Sequence, residues 1–220
     1  MPNYRLSSAL TAGEVPLRHP AHAEDILQFL SFLIAWKGPH GLGPPYNPRN
    51  LYLMGHSCGA HILASIFLDS SSTSPTLTPP ASLFGAVQAI VVSEGIYDLD
   101  VLLSSFPAYR EWFLEDAFGK RESYAAFSVT TFPLRTQNPW TRWLVVHSKG
   151  DTLVDITQSN NIYNHLRQLH IAVGASTDIF VTRSMDELEE GHNGILSGER
   201  FVQIVGNFLL DGYNNMQYEQ

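Results

Sequence analysis

Leu51-Tyr52-Leu53-Met54-Gly55-His56-Ser57-Cys58-Gly59-Ala60-His61-Ile62-Leu63-Ala64 is the stretch on which the reading of the fold turns. Its first half, from Asn50 to Met54, is a short apolar run and predicts a buried strand; a helix is expected to begin just after Ser57. Between them Gly55-His56-Ser57-Cys58-Gly59 matches G-x-S-x-G, and the following helix carries the small residues Ala60 and Ala64. In that setting the motif has mechanical meaning. A sharp strand-to-helix turn lifts the serine hydroxyl clear of the backbone, the flanking glycines permit close approach, and the helix N-terminus directs positive charge at a developing oxyanion. Ser57 is therefore the candidate nucleophile, and the Cys58 amide a candidate oxyanion donor.

Outward from this turn, short apolar runs alternate with helical stretches. A helix is expected from about Pro20 to Trp36, with strands at Ala86–Val92, Trp143–His147 and Asp178–Thr182. Further helices are expected over Leu99–Phe118 (broken near Pro107), Ile156–Leu169 and Gly198–Leu210. This is the pattern of a mostly parallel sheet with helices on both faces, and with the motif it predicts an α/β-hydrolase fold in a single domain over residues 1–220. Residues 69–80, rich in Ser, Thr and Pro, read as an inserted mobile surface loop, and 211–220 as a polar tail.

The 220 residues are 44% hydrophobic and 15% charged, which argues against disorder. Thirteen Lys+Arg against 21 Asp+Glu give a net charge of -8, so neither nucleic acid nor an anionic membrane surface is an expected partner. Residues 1–16 have no apolar core flanked by basic residues, and the apolar run Ile26–Trp36 is broken by Gln28 and Ser31. Neither a signal peptide nor a membrane span is expected. The single cysteine, Cys58, cannot form an internal disulfide, which fits a reducing, cytoplasmic compartment.

A serine nucleophile in this fold is followed in sequence by an acid and then by a histidine in a late loop. Asp151 stands just after the strand Trp143–His147 on a Gly-containing turn and is the candidate acid, with Asp155 as the alternative. His192, in Glu189-Glu190-Gly191-His192-Asn193, lies between the last strand and the last helix and is the candidate base. His147, His165, His170, His56 and His61 fall in or beside regular elements. This chemistry needs no metal.

Several blocks resemble kynurenine formamidase, particularly the fungal type. They are Asn3-Tyr4-Arg5-Leu6-Ser7, the Gly55–Ala60 turn, Glu94-Gly95-Ile96-Tyr97-Asp98-Leu99, Pro107-Ala108-Tyr109, Val146-His147-Ser148 leading to Asp151, and His192-Asn193, in the family's order. The resemblance implies hydrolysis of N-formyl-L-kynurenine to L-kynurenine and formate, a step of tryptophan degradation that can feed NAD synthesis, without a cofactor. That family's His-Gly-Gly-x-Trp motif lies upstream of Tyr-Arg-Leu and is not in this sequence. The expectation is thus an N-terminally truncated domain lacking half of its oxyanion hole and an inner strand. Turnover would then fall on the order of a hundred- to a thousand-fold.

Tyr97 and Glu94 are candidate substrate-binding residues, Glu94 as a partner for an ammonium group and Tyr97 as an aryl-stacking residue, with a place in the core as the alternative reading of Tyr97. Trp112, Phe113 and Phe118 are candidate aryl-stacking residues or core, and Asp98 a candidate ammonium partner or helix cap. A general carboxylesterase and a noncatalytic remnant remain alternative readings, and a homodimer remains open.

Overall fold

The computed structural model describes residues 2–7, 16–136 and 140–217, without the side chains of 212–217. Residues 1 and 8–15 of the segment read as lacking a leader, and 218–220 of the tail, lie outside it. Helix α1 (Ala21–Ala35) precedes strand β1 (Leu51–His56), which runs into α2 (Cys58–Phe67). There follow α3 (Ala81–Ala86), β2 (Val87–Ser93), α4 (Leu99–Ser105) and a π-helical turn (Arg110–Leu114) continued by α5 (Glu115–Phe118). The chain then forms β3 (Arg142–Val146), α6 (Ile156–Ala172), the short α7 (Thr177–Phe180), β4 (Val181–Ser184) and α8 (Glu199–Gln217).

The four strands form one parallel sheet in the order β1-β2-β3-β4, the expected architecture. Its two faces explain why β2 is apolar almost throughout. Ile90 and Val92, with Trp143 and Val145 of β3, face a core built with α1, α2 and α6; Ala89, Val91, Leu144 and Val146 face Phe201 and Phe208 of α8. A strand buried on both sides cannot alternate apolar with polar residues. β1 is an outer strand of the described sheet, and Met54 on it is 54% exposed. Among the described residues no helix is long and apolar enough to cross a membrane.

Two expectations change and a third is refined. Residues 69–80 lie largely at the surface but are anchored: Leu77 is fully buried, and the nearly buried Arg135 guanidinium donates to the carbonyls of Ile66 and Leu77 and pairs with Asp69. One apolar anchor and one many-donor cation suffice to pin a polar segment. The last strand begins at Val181 rather than Asp178, because the amides of Ile179 and Phe180 bond back to the Ser176 carbonyl and close a helical turn first. The last helix runs through the residues read as a tail, to Gln217.

A third cluster packs the C-terminal ends of the strands: Ile96, Leu99, Leu102, Leu114, Phe118, Tyr124 and Val154. Gln158 of α6, fully buried, ties the segment after β2 to this region. Its Oε1 accepts from the amides of Tyr97 and Asp98, both at 2.8 Å, and its Nε2 donates to the Asp98 carbonyl at 2.9 Å. Gln158→Leu keeps the volume but strands two amides, each costing about 1–3 kcal/mol. The variant should unfold about 3 kcal/mol more easily in a urea titration; an unchanged midpoint would show that the amides find other partners.

Candidate active site

Ser57 stands between β1 and α2 with φ 53° and ψ -122°, a conformation that a residue with a Cβ adopts only under strain of about 1–3 kcal/mol. Its amide donates to the Ser93 carbonyl at 2.9 Å, so the β1–β2 ladder holds the turn. Gly55 is required there: a Cβ on it would come 2.5 Å from the Gly59 carbonyl oxygen. A Cβ on Gly59 would meet nothing within 4 Å, so only the first of the two glycines serves close packing. The Cys58 amide opens α2, where the first N–H groups lack intrahelical acceptors.

The loops after β3 and β4 bring the other two candidates together. His192 Nδ1 donates to Asp151 Oδ2 at 2.8 Å, with both side chains nearly or wholly excluded from solvent. Asp151 Oδ1 accepts from the amides of Leu153 and Val154 at 2.8 and 3.0 Å. Burial opposes charge on Asp151, but these donors outweigh it and hold its carboxyl below the usual range. Burial likewise opposes charge on His192, yet the hydrogen bond to Asp151 and the nearby carboxylates raise its pKa above the ordinary value. Since Nδ1 carries the proton toward Asp151, Nε2 holds the lone pair of the neutral ring.

The two loops are also stitched to each other. Ser148 Oγ donates to the Glu190 carbonyl at 2.6 Å and the Lys149 amide to the Leu188 carbonyl at 3.0 Å. Among the described residues no hydrogen bond joins the Ser57 hydroxyl to His192. The His192 ring lies 4.6 Å, centroid to centroid, from His56, the neighbour of Ser57. Such hydrogen bonds are often long until substrate tightens them.

The competing residues are otherwise occupied. Asp155 caps α6 by accepting from the Thr157 amide, and Asp98 caps α4 through the Val101 amide. His147 is paired with Ser159, His165 with the Phe132 carbonyl and His56 Nδ1 with Ser93. His56, Glu94 and His192 bring one donor atom each within 4.8 Å of one another. However, His192 Nδ1 already serves Asp151 and Glu94 Oε1 the Ser148 amide, so the cluster is better described as a hydrogen-bonded group than as a metal centre.

Two candidate substrate contacts lie away from solvent. Tyr97 and Glu94 are both 0% exposed. Tyr97 packs in the core beneath Gly95, where its ring leaves no room for a Cβ. Glu94 points inward at the Asp151–His192 pair, 3.4 Å from His192 Nδ1. The available sequence signal for an inward-pointing carboxylate is that Glu94 follows a strand that is apolar almost throughout.

Beside Cys58 lies a cavity of about 330 Å³, walled in part by Tyr4, His19, His61, Trp112 and Phe118. Burial pushes His19 down to about 3 and His61 to about 4, so both are neutral and the cavity is apolar in character. The Tyr4 hydroxyl meets Cys58 Sγ at 3.3 Å. Trp112, Phe113 and Phe118 line this space, as a place for an aryl group requires; Tyr97 does not.

No protein-family profile matches the chain. The kynurenine formamidase of Meyerozyma guilliermondii is 31% identical over 122 residues, 56% of this chain and 39% of that protein. That of Debaryomyces hansenii is 23% identical over 211 residues, 77% of this chain and 67% of that one. The matches thus span 39% and 67% of those relatives' own length. Esterase B from Lactobacillus rhamnosis superposes with a TM-score of 0.65 at 12% identity, covering 92% of this chain and 65% of that one. A truncated carbohydrate esterase from gut microbiota gives 0.58 at 15% identity, covering 89% and 69%. These likenesses show the α/β-hydrolase fold.

Proposed function

We propose that this chain, an α/β-hydrolase fold similar to the fungal kynurenine formamidases, is a serine hydrolase that cleaves N-formyl-L-kynurenine or a related aryl amide. The observation that carries the reading is the 2.8 Å Asp151–His192 bond set beside the strained Ser57 turn. Ser57 Oγ attacks the formyl carbon while His192 Nε2 takes its proton. The Cys58 amide stabilises the oxyanion, and protonated His192 returns the proton to the departing arylamine as the C–N bond breaks. Water, deprotonated by His192, then releases formate from Ser57. The cavity beside Cys58 supports an aryl substrate, because Trp112, Phe113 and Phe118 offer it aromatic walls, while Asp116 is, among the described residues, the one acidic side chain in its lining. The partner in this reading is the small-molecule substrate, and the single cysteine supports a cytoplasmic location.

Assay of the purified chain with N-formylkynurenine and p-nitrophenyl esters tests this: formamide turnover is expected, and turnover of esters alone would favour a general carboxylesterase. The base must be neutral to act. Because the Asp151 bond raises His192 above 6.5, kcat/KM should fall with decreasing pH along a limb whose midpoint lies above that value. A flat profile down to pH 5 would remove His192 from the reaction.

A further inference from the structure

Glu94 ends β2 in a left-handed backbone conformation, φ 46°, with its amide bonded to the Val146 carbonyl at 3.0 Å, and its carboxyl group is wholly buried. Oε1 accepts from the Ser148 amide at 3.2 Å. Oε2 has no hydrogen-bond partner among the described residues, yet it lies 3.4 Å from His192 Nδ1, the atom that donates to Asp151 at 2.8 Å. Two carboxyl groups from different strand ends therefore converge on one ring nitrogen. We propose that Glu94 is a positioning residue for His192, a second acid that shares the Nδ1–H with Asp151 and holds the imidazole when Asp151 is lost. This inference rests on the hydrolase reading above.

A carboxylate oxygen buried without a donor is costly, and a polar atom is retained there at a loss unless it acts on something nearby. Within reach, that something is the imidazole. Two adjacent carboxylates cannot both ionise cheaply. Burial, and then the charge of Asp151, push Glu94 up to about 7, whereas Asp151 stays below the usual range. Asp151 is thus the resident anion, and Glu94 changes charge near neutrality. Ionised, it stabilises the imidazolium that forms when Ser57 gives up its proton.

Titratable groups face this cluster from several elements. Asp151 comes from the loop after β3, His56 from the end of β1, Glu190 and His192 from the loop after β4, His147 from the residue that follows β3, and the buried Tyr97 from the segment after β2. Among the described residues, Asp151 and Glu94 are the carboxyl groups within 4 Å of Nδ1.

The test is a cycle of Glu94→Gln, Asp151→Ala and their double variant, with His192→Ala as the floor. Loss of an ordinary triad acid lowers turnover about 10⁴-fold. With Glu94 in reserve, Asp151→Ala should fall only about 10- to 100-fold, and adding Glu94→Gln should bring it to the His192→Ala level. Glu94→Gln alone should move the acid limb of kcat/KM, and the His192 ring titration followed by NMR, to lower pH. A merely structural glutamate would move neither. If Asp151→Ala does not fold, Asp151→Asn keeps the oxygen that Leu153 and Val154 require. Equal activity of the single Asp151 and double variants, with an unmoved His192 titration in Glu94→Gln, overturns the proposal. If the wild-type chain hydrolyses nothing, the hydrolase reading fails by that result, and the NMR titration still decides the role of Glu94.

Discussion

Ser57→Gly is expected to abolish hydrolysis while leaving the protein at least as stable as the wild type. Removing a serine nucleophile from an intact triad lowers turnover about 10⁶-fold, because neither the base nor the acid has anything left to activate. The fold should respond in the opposite direction. At φ 53° and ψ -122° a Cβ is strained by about 1–3 kcal/mol, whereas glycine adopts such angles freely and loses about 0.5–1 kcal/mol through chain entropy. The balance favours the variant by about 1 kcal/mol, a higher midpoint in thermal unfolding. Ser57→Ala should lose as much activity without the gain in stability. A less stable glycine variant would mean that the turn is held by contacts of the hydroxyl and not by the backbone.

Gly150→Ala should damage both the fold and the chemistry, although a glycine replaced by alanine elsewhere is usually a small change. A Cβ at position 150 would come 2.1 Å from the Glu189 carbonyl oxygen and 2.7 Å from that of Glu190. Both are backbone atoms, so the acid loop and the histidine loop must part by more than an ångström. The Ser148–Glu190 and Lys149–Leu188 bonds lie across the same seam, and the Asp151–His192 bond depends on it. Expected losses are about 3 kcal/mol of stability, as for overpacking of a close-packed site, and at least about 100-fold in turnover from a displaced base. Gly191→Ala is the control, since a Cβ there would have only the Gly150 carbonyl oxygen, at 3.9 Å, as a neighbour. Similar effects at both positions would show that chain flexibility, not the close approach at Gly150, is what matters.

The parallel sheet was legible because β2 and β3 are short, apolar runs separated by helical stretches, and because Gly55-His56-Ser57-Cys58-Gly59 marks where one strand must turn into a helix. The Asp151–His192 contact was legible from their order along the chain and their places in the loops after two strands, with Asp155 left as the alternative acid. What escaped were effects of three-dimensional placement. Leu77 and Arg135 are far apart in sequence, so composition could not show that they pin residues 69–80. The direction in which Glu94 points was not legible, because its place is set by contacts from distant elements: the Ser148 amide meets its carboxyl group, and Gln158 of α6 holds the amides of Tyr97 and Asp98 just beyond it. Local turn bonding at Ser176 shifted the start of β4 because both conformations suit Ile179 and Phe180, and hydrophobic period does not separate them over four residues.

The reaction stands on Ser57 being made nucleophilic by His192, and covalent capture reads this without a substrate assay. The purified protein would be treated with a fluorophosphonate near pH 8 and the adduct located by peptide mass spectrometry. A single phosphonyl group on the peptide carrying Ser57 is expected, absent in Ser57→Ala and formed at least about 10³-fold more slowly in His192→Ala. An adduct elsewhere, or one that forms on Ser57 at an unchanged rate without His192, would contradict the account.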